Sequence, residues 1–141
     1  MTLSLSVTDN PDSRDQDFIA ESLTAFNDAD VGNSDRREIA VFARDETQSI
    51  IAGLTGYTAW GWLFVQRLFV SEAARGQDLA GRMLRQAEEE ALRRGCKGAF
   101  IDTFSPTAEK AYTRQGYRPF GAMEDFPIGS GRRRVYLQKR L

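Results

Sequence analysis

Histidine is missing altogether from these 141 residues, and cysteine occurs once, as Cys96. Without histidine there is no Ser-His-Asp triad, no Cys-His pair and no His-ligated zinc, and no metal site is expected. A lone thiol cannot close an internal disulfide and suits a reducing compartment, so a cytoplasmic protein is expected. No apolar run reaches the roughly 20 residues that span a bilayer, so no membrane partner is expected. The first residues, Met1 to Asp17, are polar and acidic rather than basic and then apolar, unlike a secretory signal. A basic excess is also absent: 19 Lys and Arg stand against 20 Asp and Glu. That balance argues against a nucleic-acid partner, which needs a basic surface. Internal repeats and low-complexity segments are absent too. What remains, 41% hydrophobic and 28% charged residues, suits one soluble globular domain over 1–141 with a single core.

Periodicity then divides the chain. Leu3, Leu5 and Val7 alternate with Ser4, Ser6 and Thr8, which predicts a first strand with one buried face. Asn10-Pro11-Asp12-Ser13 reads as a turn and helix start. Phe18, Ile19, Leu23 and Phe26 recur with helical period, giving a helix of about four turns. Polar Asn27 to Arg37 reads as a loop or a broken short helix. Ile39 to Arg44 and Ile50 to Tyr57 are strands joined at Asp45, and Gly53 and Gly56 suggest a bulge in the second. Trp62 to Val70, almost wholly apolar, reads as a central strand covered on both faces. The Leu79, Met83, Ala87, Ala91 series marks an amphipathic helix, with Glu89 and Glu90 set to pair with Arg93 and Arg94 and Gly95 as its stop. Ala99 to Phe104 is a strand. Ser105-Pro106 caps a short helix ending at Gly116. Tyr117 to Ala122 and Arg134 to Leu141 are closing strands. The order is β-α-β-β-β-α-β-α-β-β. This is an α/β (α+β) pattern with a mixed sheet of six to seven strands and a parallel βαβ unit across 62–104.

One stretch carries more than fold. From Leu68-Phe69-Val70 the chain passes through a polar turn to Arg75-Gly76-Gln77-Asp78-Leu79-Ala80-Gly81-Arg82. A helix start leaves backbone N–H groups unpartnered and carries positive partial charge, and glycine lets another molecule approach the backbone. The physics points to an anion, most simply a phosphate, at the carboxyl end of the strand.

That spacing resembles the Arg/Gln-Gly-x-Gly-x-Gly/Ala signature of the GNAT superfamily of acyl-CoA N-acyltransferases. A second run, Asp102-Thr103-Phe104-Ser105-Pro106 through Tyr112 to Gly116-Tyr117, is similar to the family's strand, short helix and tyrosine. Ala87-Glu88, Asp102-Thr103 and Asp125-Phe126-Pro127 resemble small bacterial acetyltransferases within it. The resemblance implies the GNAT fold with a splayed parallel pair. It implies that Leu68, Phe69, Val70, Thr103, Ala108 and Ala111 flank the pantetheine arm of acetyl-CoA while Arg75 to Arg82 face its pyrophosphate. It implies that Tyr112 protonates the leaving thiolate as a primary amine of a small molecule or protein attacks the thioester directly. A homodimer follows from family habit.

Two departures stand out. Asp78 replaces a frequent glycine, and its carboxylate either opposes the pyrophosphate or turns back to cap the helix. No acid lies between Glu46 and Glu72, where some members carry a base, so Glu21, Asp102, Glu124, Asp125 or a water chain are the alternatives. These departures keep a rival open: a non-catalytic acyl-CoA-binding module. An acyltransferase acting on aminoacyl-tRNA is disfavoured by charge. Trp60 and Trp62 either wall a substrate pocket or simply pack, and Cys96 reads as a packed thiol rather than a nucleophile.

Overall fold

A computed structural model describes all residues, Met1–Leu141. By contacts the chain divides into Met1–Ser34 and Asp35–Leu141.

The first unit is built on α1 (Ser13–Val31), where the Asp12 side chain accepts from the Arg14 N–H and caps the helix. The helix runs five residues past Phe26, through Asn27-Asp28-Ala29-Asp30-Val31, which the sequence read as a loop or a broken short helix. Gly32 ends it, donating its N–H to Asp28 O at 2.9 Å. The expected first strand is not formed: residues 1–8 adopt no regular structure, and Leu3, Leu5 and Val7 are exposed. Alternation alone cannot make a strand, because each strand needs a neighbour to satisfy its backbone N–H and C=O groups.

The second unit is a six-stranded sheet in the order β1-β2-β3-β4-β6-β5. Its strands are β1 (Arg37–Arg44), β2 (Ile50–Ala59), β3 (Trp62–Val70), β4 (Gly98–Thr103), β5 (Arg118–Met123) and β6 (Arg134–Arg140). All neighbours are antiparallel except β3 and β4, which are linked through α2 (Leu79–Arg93) as the βαβ pattern requires. A short helix, α3 (Pro106–Arg114), follows β4; Ser105 Oγ accepts from the Ala108 N–H at 3.3 Å and proline opens the helix.

One face of the sheet is the core face. Ile39, Ala52, Leu54, Leu63, Val65, Ile101, Val135 and Leu137 pack there with Met83, Leu84, Ala87 and Ala91 of α2. Each large side chain so buried is worth roughly 1.5–3 kcal/mol. The other face carries Phe42, Tyr57, Phe64, Phe100, Phe120 and Tyr136, which stay half-buried or exposed. Thus β3 is covered on one face rather than both: Gln66, Arg67 and Phe69 are exposed. Within Asp35–Leu141 the unbroken apolar run reflects a second face of aromatics. On α2, Glu90 takes both arginines, Arg93 at 3.0 Å and Arg94 at 2.8 Å, instead of sharing them with Glu89. Glu88 is buried between the Tyr117 hydroxyl and the Lys139 ammonium, 2.8 Å from each. Burial and the Glu88 charge hold the Tyr117 hydroxyl well above its ordinary pKa. Glu88 thereby ties α2 to β6 and to Tyr117, the residue just before β5.

Candidate acyl-transfer site

Strands β3 and β4 pair only from Trp62–Phe64 to Gly98–Phe100 and then part. Two local features prepare the separation. The register shifts between Thr55 and Gly56 because Gln66 is an extra residue in β3, and a Cβ on Gly56 would run into Phe64 O, so only glycine fits. Bulges bend the strand and increase its twist. Gly98 admits the Trp62 ring over the paired end, where a Cβ would meet it at 2.7 Å. Beyond Phe64 the β4-facing backbone of β3 has no strand partner, which leaves donors and acceptors for an extended ligand.

A cleft of about 870 Å³ lies at this parting and reaches the start of α2. Leu68, Phe69, Val70, Arg75, Gly76, Asp78, Leu79, Ala80, Thr103, Ala108, Ala111 and Tyr112 all line it. Gln77, Gly81 and Arg82, from the same motif, do not. A 3₁₀ turn at Glu72–Ala74 brings the chain round from β3, and Gly76 turns at φ +88°, a conformation natural to glycine. Asp78 does not turn back to cap the helix. It makes no cap hydrogen bond, and its carboxylate pairs with Arg85 at 3.2 Å beside Gly81. Asp78 has φ +54°, which explains why glycine suits the position and why aspartate, which visits this region more readily than most residues, is tolerated. With no side-chain cap, the first amides of α2 keep their donors free.

Tyr112 lies where this cleft meets a second, of about 410 Å³, that fills the gap between β3 and β4. Its hydroxyl pKa is pushed up to about 12, first by burial and then by the nearby Asp102 carboxylate. The group therefore holds its proton at neutral pH. Asp102 pairs with Arg134 at 2.9 Å, and both line the gap and a third cleft, of about 350 Å³, on the aromatic face. Of the four candidate bases Asp102 alone is at the gap. Glu124 pairs with Arg133 at 2.9 Å. Asp125 accepts the Gly129 and Gly131 N–H groups, which hold its carboxyl below the usual range. Glu21 is an exposed residue of α1. The turn organised by Asp125 sets Phe126 edge-on to Phe104, with ring centroids 5.2 Å apart, at the rim of the gap.

The Acetyltransferase (GNAT) family model matches residues 4–117. The chain belongs to the GNAT acetyltransferase family. Acetyltransferase Atu2258 of Agrobacterium fabrum is 43% identical over 134 residues, covering 95% of this chain and 96% of its own. Blasticidin-S acetyltransferase of Streptomyces morookaense is 36% identical over 91 residues, 64% of this chain and 67% of its own. A crystal structure from Agrobacterium tumefaciens superposes with TM-score 0.91 at 42% identity, covering 99% of this chain and all of that one. This GNAT protein is accordingly an acetyl-CoA-dependent N-acetyltransferase, and the rival of a non-catalytic module falls away.

Several residues of the acetyltransferase's clefts escaped the sequence reading. Ala74, Ser105, Thr107 and Arg114 line the large cleft; for the last two the signal was available, since Thr107, Ala111 and Arg114 share one face of α3. Tyr57, Phe64, Gln66, Arg67 and Arg134 line the smaller ones. They come together only through strand pairing, and nothing local announces them. Trp62 packs on Gly98 with Arg140 5.1 Å over its ring. Cys96 is buried, and burial raises its thiol pKa, as for a packed residue.

Proposed function

We propose that acetyl-CoA lies in the large cleft and that a small-molecule amine reaches it through the gap from the aromatic face. The parting of β3 and β4 beside the uncapped start of α2 carries this reading: it offers extended-backbone partners to a pantetheine arm and free amides to a pyrophosphate. Leu68, Phe69 and Val70 with Thr103, Ala108 and Ala111 flank the arm. Arg75, Gly76, Asp78, Leu79 and Ala80 surround the phosphates, with Gln77, Gly81 and Arg82 as their support. The amine nitrogen attacks the thioester carbonyl carbon, the C–S bond breaks, and Tyr112 passes its proton to the departing sulfur. Asp102, the acid at the gap, takes the proton lost by the amine, directly or through water, while Arg134 orients it. The amide and free CoA leave without any covalent enzyme intermediate. Reduced Cys96 and acetyl-CoA chemistry suit the cytoplasm.

A small molecule is favoured over a protein acceptor because the clefts on the acceptor side, about 410 and 350 Å³, match small-ligand dimensions. The Streptomyces relative, named for blasticidin S, supports the same class. The test is thiol release from acetyl-CoA across a panel of small primary amines and lysine peptides, with calorimetry of CoA itself. The expected result is CoA binding and turnover with small amines. Turnover confined to lysine peptides would overturn the acceptor class, and folded protein that binds no CoA would overturn the site.

A further inference from the structure

Each unit carries a surface that ordinarily does not stay bare. In the first, α1 buries none of its 19 residues. Phe18, Ile19, Leu23 and Phe26, which share one side of the helix, are 57–69% exposed. Leu3, Leu5 and Val7 precede them with strand alternation and no strand partner. In the second, the sheet face opposite the core presents Phe42, Phe69 and Phe120, all more than half exposed, around Tyr57, Phe64, Phe100 and Tyr136. The strand at the end of that sheet, β1, is paired only with β2. Open edges and contiguous apolar patches of this kind mark interaction surfaces.

Charge says what fits there. Residues 1–34 contain seven acids against Arg14, a net −6, so the formal total of −1 leaves +5 on residues 35–141. On the aromatic face the excess is arginine: Arg36 sits 3.8 Å over Tyr57, Arg44 5.7 Å over Phe42, and Arg67 lies beside Asp102 and Arg134. The acids there are already engaged, Glu38 with Arg36 at 3.7 Å and Asp102 with Arg134 at 2.9 Å. Arg67 has no carboxylate partner. The α1 stripe is headed by Asp15 and flanked on one side by Asp17, Glu21 and Asp28. An acidic amphipathic helix therefore matches a basic-rimmed aromatic face in both polarity and charge.

We propose that the N-terminal unit of one copy docks on a second copy, Leu3–Val7 adding a strand to the free edge of β1 and α1 covering the aromatic face, in a reciprocal exchange. The five residues between α1 and β1, 32–36, form the hinge; short hinges favour such exchange. Counted twice by symmetry, the helix stripe and facing aromatics cover on the order of 1,500 Å², the size of a stable interface. The exchange places a second copy's acids over Arg67 at the acceptor cleft, so each acceptor site has a wall from the other chain.

The experiment mixes full-length protein in unlabelled and ¹⁵N-labelled form, refolded together, with Leu23 replaced by p-benzoylphenylalanine. Sedimentation is expected to show a dimer, and photo-cross-linking to join labelled with unlabelled peptides, position 23 reaching β1 to β3 or β5. Ile19→Asp with Leu23→Asp, at positions exposed here, is expected to weaken the dimer at least about 100-fold, and salt to weaken it further. A monomer at every concentration would overturn the proposal. So would cross-links confined to peptides of one isotopic kind, or a dimer indifferent to the double substitution. None of these readouts depends on catalysis, so they stand apart from the test of the acceptor.

Discussion

Burial extends the range over which the Tyr112 hydroxyl, the proposed proton donor, keeps its proton. A phenol raised to about pH 12 by desolvation and by Asp102 is a donor, not a base, at neutral pH. A general acid must be protonated, so its contribution is complete below its pKa and lost as pH rises through it. For Tyr112 that loss falls near pH 12, and kcat for a weakly basic amine is expected to show no Tyr112-dependent decline up to pH 10. Tyr112→Phe is expected to lower kcat by up to about 10²-fold with little change in the KM for acetyl-CoA, because the ring still packs and the thiolate can leave unaided. An alkaline limb below pH 10 that vanishes in Tyr112→Phe would show instead a solvated hydroxyl. Asp78 is the second such residue. Its carboxylate borders the cleft and is offset by Arg85 at 3.2 Å. Asp78→Asn keeps the shape and removes the charge, so CoA is expected to bind a few-fold more tightly at low salt, the gain shrinking as salt screens it. Calorimetry at two salt concentrations checks both parts, and weaker binding would mean that the pair with Arg85 shapes the loop.

At the scale of elements, the site is made where regular structure stops. The bulge at Gln66 shifts the ladder between β2 and β3, and the parting of β3 from β4 and the turn between β5 and β6 each end a ladder and open a surface. The last of these hangs on Asp125, which holds Gly129 and Gly131 by their backbone N–H groups at 3.1 and 2.9 Å. Asp125→Ala is expected to loosen the turn and with it Phe126 against Phe104, raising the KM for the amine while leaving CoA affinity unchanged. Steady-state kinetics with each substrate varied separately distinguishes this from a general loss of fold, in which both would suffer. The carboxyl is held below its ordinary value, so acid should undo the same turn: its hold is present above about pH 4 and lost as pH falls through the lowered pKa.

The whole molecule responds to its ligand through linkage. CoA that binds only the folded chain at a hundred times its Kd adds about 2.7 kcal/mol. For a chain of this size that is a rise in Tm on the order of 10 °C. Gly76→Val, which forces a β-branched residue into φ +88°, is expected to abolish that rise and also to lower the ligand-free Tm, since the backbone is strained there although nothing lies within 4 Å of the site of its Cβ. A full ligand-induced shift in Gly76→Val would move the anion site elsewhere.

Much of this was legible in local patterns. Helix α2 follows from the spacing of Leu79, Met83, Ala87 and Ala91, and α3 from Ser105-Pro106. Each depends on groups a few residues apart, where period and backbone preference act directly. The turn from Arg75 into the start of α2 was legible for the same reason, because a turn and a helix start are local matters. Tertiary structure decided the rest. Arg67, Arg134 and the aromatic face are brought together by strands distant in sequence, and the single acid at the gap was selected by pairing of β4 with β6. Leu3, Leu5 and Val7 alternate as a strand does and yet form none, because a strand exists only with a neighbour. Periodicity states which side of a segment is apolar; the partner that receives it is a property of the assembled chain.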